Sequence, residues 1–196
     1  ARDVAHLHEL DAAQRKELEH DGLQDVSLLE MRLVPAIVEM EYAGIAVDRE
    51  RLTLLRNRAQ HTALAFAAKV RELLGLPKLN VSSPQQLVKA LQARGITVGS
   101  TDEETLKAAD DGTIIPAILA YRGAEKQAQQ AASLLECIKQ DGRIHGRFDP
   151  TGTATGRFSS KDPNLQNIGR GELRSCFIPA VGNKLIVADY SQIELR

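Results

Sequence analysis

The chain has 196 residues, of which 43% are hydrophobic and 26% charged, a composition typical of a globular protein with one ordinary domain or two small ones. No apolar run approaches the ~20 residues that cross a bilayer, and no secretory signal is recognisable, so no membrane contact and a cytoplasmic location are expected. Two cysteines, Cys137 and Cys176, make no disulfide framework and indicate reduced thiols.

The net charge of −1 conceals a strong asymmetry along the chain. Residues 1–48 hold 4 basic and 11 acidic side chains, residues 49–71 hold 6 basic and 1 acidic, and residues 143–196 hold 8 basic and 5 acidic. The two basic segments predict either an electrostatic footprint for a polyanion or solvated helix faces, and charge alone favours the second.

Helical signals occupy the first two thirds of the chain. A short acidic helix is predicted over 4–20, and the Ser27–Glu30 capping box predicts a second helix that runs to about Tyr42 with Pro35 inside it. Asp48 is the expected cap of a long helix that ends near Gly75. Its apolar stripe consists of Leu52, Leu55, Ala59, Ala63, Phe66, Val70 and Leu73.

Two small helices, one capped by Ser83 and one near 102–110, lead to a second long helix over about 114–139. The stripe of this helix consists of Ile118, Tyr121, Ala128, Ala132, Leu135 and Ile138. Two long helices of similar length indicate an antiparallel pair, which forms either a projecting arm or part of an ordinary bundle.

The pattern changes near residue 140. The segments RIHGRF, CFIPA and KLIVAD each predict a strand, and Gly- and Ser-rich connections separate them. The expected fold class is therefore α+β, a mainly helical region followed by the first strands of an incomplete domain.

The stretch TGTATGRFSSKDPNLQN, residues 151–167, combines Ser and Thr hydroxyls, three amides and the cations Arg157 and Lys161. Hydroxyls and backbone amides suit phosphate oxygens, and Arg157 with the amides suits base edges or sugars. The alternative is a long turn held by its own side-chain hydrogen bonds. Further on, the KLIVA run presents Asp189, which is either a functional carboxylate or a helix N-cap.

Together, TATGRFSSKDPNLQN and VADYSQIELR closely resemble two motifs of the family A DNA polymerases. The first is similar to the thumb-to-palm motif that binds duplex DNA, and the second to motif A, which carries a catalytic aspartate. The resemblance implies an exonuclease-like tail over 1–26, a helical thumb over 27–140 and the start of a palm over 141–196. It also implies primer–template DNA and deoxynucleoside triphosphates as partners.

The resemblance assigns roles to individual residues. Asp189 is implied as a ligand of two Mg²⁺ ions, the Tyr190 carbonyl as a further ligand, and Glu194 as a steric gate against the ribose 2′-hydroxyl. Hard divalent cations take oxygen ligands, and a metal pair is suited to phosphoryl transfer. The residues implied in duplex binding are Arg157, Ser159, Ser160, Asn164, Gln166 and Asn167.

Three features qualify the resemblance. Asp3 matches the metal-binding aspartate of the exonuclease domain, although an acid in a first helical turn is more often a dipole or capping residue. Ile168-Gly169 replaces the more usual Ile-Pro, and the link to the next strand is short, so Arg170 and Arg174 are not assigned to the basic residues of the family. Phe158 stands where Leu is common.

The fingers helix and the second aspartate motif do not follow in the sequence, so no polymerase activity is expected from the chain alone. A C-terminal polymerase fragment is the expected partner that would restore activity. Two other functions stay open: a non-catalytic module that binds duplex DNA, and a helical interaction domain whose basic face is merely solvated.

Overall fold

A computed structural model describes residues 4–109, 111–169 and 171–192. In chain order, the helices are α1 (Leu7–His20), α2 (Gln24–Ala43), α3 (Arg49–Leu74), α4 (Pro84–Gln92), α5 (Glu103–Ala108) and α6 (Ile114–Cys137). The strands are β1 (Ile45–Val47), β2 (Arg143–Ile144), β3 (Arg147–Asp149), β4 (Ser159–Lys161) and β5 (Phe177–Ile178). The chain therefore has the predicted α+β class, with a mainly helical region and a few short strands.

The described residues form two compact units. One unit consists of the residues up to 44 together with 145–167, and the other consists of 45–144 together with the residues from 168 onwards. Both units are discontinuous in sequence, whereas the three segments that the resemblance implied are continuous. Those segments are defined by function and stay predictions.

The core of the larger unit is the long helix pair α3 and α6, which was predicted. Arg49 at the start of α3 donates to the carbonyl of Ile138 just beyond α6, so the two helices run antiparallel. The Asp48 carboxylate accepts the Arg51 N–H at the first turn of α3, and Gly75 closes the last turn in the left-handed conformation. This confirms both predicted ends of the helix.

In the C-terminal part of each long helix, some of the buried residues are neighbours of the residues that the predicted stripe contained. On α3, Ala67 and Leu74 are buried where Phe66 and Leu73 were expected, and the latter two pack at the edge of the core. On α6, Ile118 and Tyr121 are buried as predicted, as is Ile138 just beyond the helix, but the buried line between them runs through Ala124, Ala131 and Leu134. Small residues at these positions allow the helices to approach closely.

The two small helices complete this core. Ser83 and Asp102 cap α4 and α5 by accepting N–H groups of Gln86 and Thr105, and α5 ends two residues before its predicted end. The side chain of Arg122, on α6, donates to the carbonyl and hydroxyl of the buried Thr101. This contact fixes the start of α5 against α6.

The same unit contains a three-stranded antiparallel sheet in the order β2-β1-β5. The CFIPA prediction is confirmed only for Phe177 and Ile178, because a 3-10 turn takes up Arg174–Cys176. The backbone N–H of Asp48 donates to the Cys176 carbonyl. Burial raises the pKa of the Cys176 thiol, as expected for an unreactive buried cysteine.

In the smaller unit, the predicted capping box is wrong. Helix α2 begins at Gln24, and the backbone N–H of Ser27 donates to the carbonyl of Leu23 within the first turn. Ser27 therefore lies inside the helix, and the N-cap position is held by Leu23. The Oε2 atom of Glu30 is buried without a hydrogen-bond partner in the described residues.

Two strand predictions are also wrong. RIHGRF forms two strands, β2 and β3, which belong to different sheets and are separated by His145 and Gly146. The segment KLIVAD forms no strand within the described part of the chain, and Ile186 and Val187 are more than 90% exposed. A strand needs a neighbour for its backbone hydrogen bonds, and no described segment pairs with residues 184–189.

Candidate nucleic-acid interface

The predicted DNA-binding stretch lies on a β-hairpin in the smaller unit. Strands β3 and β4 pair antiparallel, with Phe148 opposite Ser160 and Asp149 opposite Ser159. The ion pair between Lys161 and Asp149 and the one between Arg147 and Asp162 lie along the hairpin. The sequence predicted a loop throughout this stretch, and the structure instead gives it a paired strand at its centre.

The turn of the hairpin is held from within. The Asp149 carboxylate accepts the backbone N–H and the hydroxyl of Thr151, both at 3.0 Å, and the Thr153 hydroxyl donates to the Arg157 carbonyl at 2.7 Å. Gly152 packs closely against β4, since a Cβ there would lie 2.2 Å from the Ser159 hydroxyl oxygen and would force that side chain to move. These contacts shape a compact turn, and the Arg157 side chain lies exposed at its end.

The segment after β4 is organised by three polar side chains. The Ser160 hydroxyl donates to the Pro163 carbonyl at 3.3 Å and accepts the Leu165 N–H at 3.2 Å. Asn164 Oδ1 accepts the N–H groups of Gln166 and Asn167, and the Gln166 amide donates to the Phe158 carbonyl at 3.0 Å. The self-bonded turn that the sequence left as an alternative is therefore present.

The predicted DNA contacts differ in their exposure. The side chains of Arg157, Asn164, Gln166 and Asn167 are exposed, Ser159 is half-buried, and Ser160 is only 5% exposed. The structure thus brings four exposed polar side chains onto one continuous stretch of hairpin and turn. The hydroxyl of Ser160 faces the interior of the same stretch.

Sequence reasoning missed one residue that contacts this hairpin. Glu41, in the last turn of α2, accepts the Phe148 N–H and, through its own carbonyl, a hydrogen bond from His145. The interaction joins residues more than a hundred positions apart. A lone glutamate near a helix end carries no local signal that would predict it.

In the larger unit, the basic segment on α3 is partly engaged in contacts within the protein. Arg58 forms an ion pair with Glu172, while Arg51 and Arg71 donate to the carbonyls of Ser175 and Leu79. Arg49 donates to Ile138, as described above. These arginines attach neighbouring segments to α3, so its positive charge is not simply a solvated face.

Asp189 and Tyr190 lie in a segment without helix or strand, and both side chains are exposed. The predicted presentation of Asp189 by a strand end is therefore not observed. Glu194, Asp3 and Arg170 lie outside the described residues. The Arg174 side chain donates to the Ile168 carbonyl at 3.2 Å.

The described residues do not provide a complete set of ligands for a metal ion. Among them, no group of three or more His, Cys, Asp or Glu side chains could hold a metal ion. Mg²⁺ needs several oxygen ligands converging on one point. Asp189 and Tyr190 supply at most a part of such a set, and no reaction step through a metal is derived from them. No described helix is long and apolar enough to span a bilayer.

The chain is similar in sequence to known DNA polymerases. The profile of DNA polymerase family A matches residues 49–196. The chain is 39% identical over 184 residues to DNA polymerase I of Caldicellulosiruptor bescii and 38% identical over 200 residues to DNA polymerase I of Bacillus subtilis. These alignments cover 86% and 92% of the chain but only 22% of each relative, so the chain spans less than a quarter of their length.

A solved structure is similar over nearly all of the chain. It is the POL domain of Pol1 from M. smegmatis, in complex with DNA primer-template and dNTP. The TM-score is 0.82 with 32% sequence identity, and the match covers 95% of this chain and 36% of that one.

Proposed function

Because the chain belongs to DNA polymerase family A, we propose that it is a portion of a DNA-directed DNA polymerase whose hairpin, residues 147–167, binds primer–template duplex. One observation supports this most directly: four of the six predicted contact residues are exposed on a hairpin whose shape is fixed from within. A preshaped surface loses little conformational entropy on binding.

The contact residues take different roles in this proposal. Arg157 neutralises a phosphate or reaches the minor groove, where acceptors are shared by all base pairs, so binding is independent of sequence. Asn164, Gln166 and Asn167 contact sugars or base edges, and Ser159 contacts the backbone. Ser160 acts indirectly, because its buried hydroxyl holds the Pro163–Leu165 turn.

We further propose that Asp189 and the Tyr190 carbonyl contribute to a two-Mg²⁺ centre that the rest of a full-length polymerase completes. When bound, such ions stabilise the charge that develops during phosphoryl transfer. Glu194 limits the space for a ribose 2′-hydroxyl. The chain alone is then inactive, and a C-terminal polymerase fragment that supplies the remaining ligands restores primer extension.

The test is duplex binding by the chain itself. Arg157→Ala is compared with Arg32→Ala, which removes an exposed arginine from α2 in the same unit. We expect Arg157→Ala to weaken binding to every duplex sequence and to lower the salt slope by about one, because one positive charge that displaces counterions from the DNA is lost. Arg32→Ala should leave both quantities unchanged.

Fluorescence anisotropy with labelled primer–template duplexes, titrated at several salt concentrations, measures both quantities. Equal binding by wild type and Arg157→Ala would contradict the assignment of the hairpin. A change of sequence preference would contradict the minor-groove role of Arg157. Absence of any salt-dependent duplex binding by the wild type would favour the helical interaction domain instead.

A further inference from the structure

We infer that Glu41 is a positioning residue for the duplex-binding hairpin, an inference that rests on the proposed function. Glu41 lies in the last turn of α2, far in sequence from the hairpin and without any predicted role. It contacts Phe148 of the hairpin and His145 just before the hairpin, through two different groups. The inference is that these contacts hold residues 145–148 in the geometry that the duplex requires.

The two contacts are short and partly shielded from solvent. Glu41 Oε1 accepts the backbone N–H of Phe148 at 2.6 Å, and the Glu41 carbonyl oxygen lies 2.8 Å from His145 Nδ1. A carbonyl can only accept, so Nδ1 of His145 carries the proton in this contact. Hydrogen bonds to an ionised carboxylate are stronger than those between neutral groups.

The carboxylate contact stabilises an edge of the hairpin. Phe148 stands opposite Ser160 in the β3–β4 register, and its N–H donates to Glu41. A strand N–H at a sheet edge needs an acceptor from outside the ladder when it is removed from water. Glu41 supplies that acceptor and thereby fixes the backbone at the position opposite Ser160.

The effect reaches the exposed contact residues through packing. Gly146, between the two residues that Glu41 contacts, lies against Leu165, since a Cβ at Gly146 would be 2.9 Å from Leu165 Cδ1. The Leu165 N–H is held by Ser160, and Leu165 lies between Asn164 and Gln166. A shift of residues 145–148 would therefore displace the turn that displays both amides.

Electrostatics separates this role from a direct contact with DNA. A carboxylate repels phosphates. If Glu41 acted on the DNA directly through its charge, its removal would increase duplex affinity. Loss of positioning has the opposite sign, because a loosened hairpin must be ordered when it binds. The direction of the change therefore discriminates between the two roles.

The experiment compares four variants of the chain. Glu41→Gln keeps an oxygen acceptor, Glu41→Ala removes it, and Glu41→Asp keeps the charge but shortens the reach. Glu39→Ala, an exposed glutamate on the same helix, is the matched control. Duplex affinity and salt slope are measured by anisotropy, and hydrogen exchange of Phe148 and Leu165 reports on the hairpin.

We expect Glu41→Ala and Glu41→Asp to weaken duplex binding about tenfold, the effect of losing one charge-assisted hydrogen bond, with the salt slope unchanged. Exchange at Phe148 should accelerate in both variants. The duplex affinity of Glu41→Gln should stay within about threefold of the wild-type value. The control Glu39→Ala should have the wild-type affinity. Glu41→Asp retains the net charge and the helix, so it gives the answer if Glu41→Ala does not fold.

Faster Phe148 exchange with unchanged or tighter duplex binding in Glu41→Asp would overturn the inference while leaving the proposed function intact. Failure of the wild-type chain to bind duplex would instead overturn the proposed function, and the positioning role with it. The two failures are thus distinguished by the wild-type measurement alone.

Discussion

Ser159 and Ser160 are adjacent residues of the same motif, yet their hydroxyls have different surroundings. Successive side chains of a strand point to opposite faces, so β4 turns Ser160 inward and leaves Ser159 half-exposed. The Ser160 hydroxyl bonds to Pro163 and Leu165. The motif therefore contains one serine that shapes the hairpin and one that is available to a ligand.

The two serines provide a matched pair of variants. Ser160→Ala leaves the Leu165 N–H without its acceptor, which should cost about 1–3 kcal/mol of local stability and accelerate exchange of that amide. Ser159→Ala should leave exchange at Leu165 unchanged and weaken duplex binding modestly. Hydrogen exchange by NMR together with duplex anisotropy separates the two effects. Equal exchange rates in both variants would show that the inward hydrogen bonds contribute nothing.

The residue types of the hairpin were sufficient to predict its polar, exposed character, but not the orientation of each side chain. Arg157 and Asn164 are exposed as predicted. The inward orientation of Ser160 depends on β4, and β4 exists only because β3 pairs with it. No local pattern in the sequence predicts that pairing. The contact of Glu41 with Phe148 has no local signal either.

At the scale of elements, the long helices were predicted well and the short strands poorly. Helices α3 and α6 repeat an apolar stripe over many turns, and α3 also has recognisable caps at Asp48 and Gly75, so their signal accumulates. Strands of two or three residues, such as β2 and β5, carry almost no periodic signal. Their existence depends on β1, to which both of them pair.

The helix pair itself is tested by two leucines of α3 that lie two positions apart. Leu52 is fully buried, whereas Leu54 is 69% exposed. Leu52→Ala should lower the free energy of unfolding by about 2–5 kcal/mol, because it leaves a cavity in the core. Leu54→Ala should change it by less than about 0.5 kcal/mol.

Urea unfolding followed by circular dichroism measures the stability of both leucine variants. Similar losses in the two variants would mean that the face of α3 that packs on α6 has been misassigned.

At the scale of the whole molecule, residues 183–190 form a segment without helix or strand. The apolar run KLIVAD predicted a strand there that ends at Asp189, but the described residues provide no neighbour for it, and Ile186 and Val187 stay exposed. The polymerases of Caldicellulosiruptor bescii and Bacillus subtilis are more than four times longer than the part that matches this chain. The catalytic role that we propose for Asp189 therefore has to be tested in a full-length polymerase that contains this sequence.

In such a polymerase, Asp189→Asn should lower the rate of single-nucleotide extension by several orders of magnitude. The substitution keeps the shape of the side chain but removes the negative charge that divalent cations require, and metal stabilisation of the transition state is worth several kcal/mol. Primer–template affinity should survive, because the substitution leaves the hairpin of residues 147–167 unchanged, and this is the segment that we propose binds the duplex. Asp21→Asn, which alters an exposed carboxylate just after α1, is the control and should have no effect on either quantity.

Glu194→Ala should give a different result in the same assay. Removing the side chain opens space beside the sugar, so discrimination against ribonucleotides should relax while extension with deoxynucleotides falls only moderately. Rapid-quench extension with both classes of nucleotide measures the two effects. The same assay also tests the alternative interpretation of Asp189, which is a helix cap. A cap stabilises a helix without touching the reacting phosphate, so Asp189→Asn would then retain near wild-type rates. In that case, the similarity of VADYSQIELR to motif A would not extend to its chemistry.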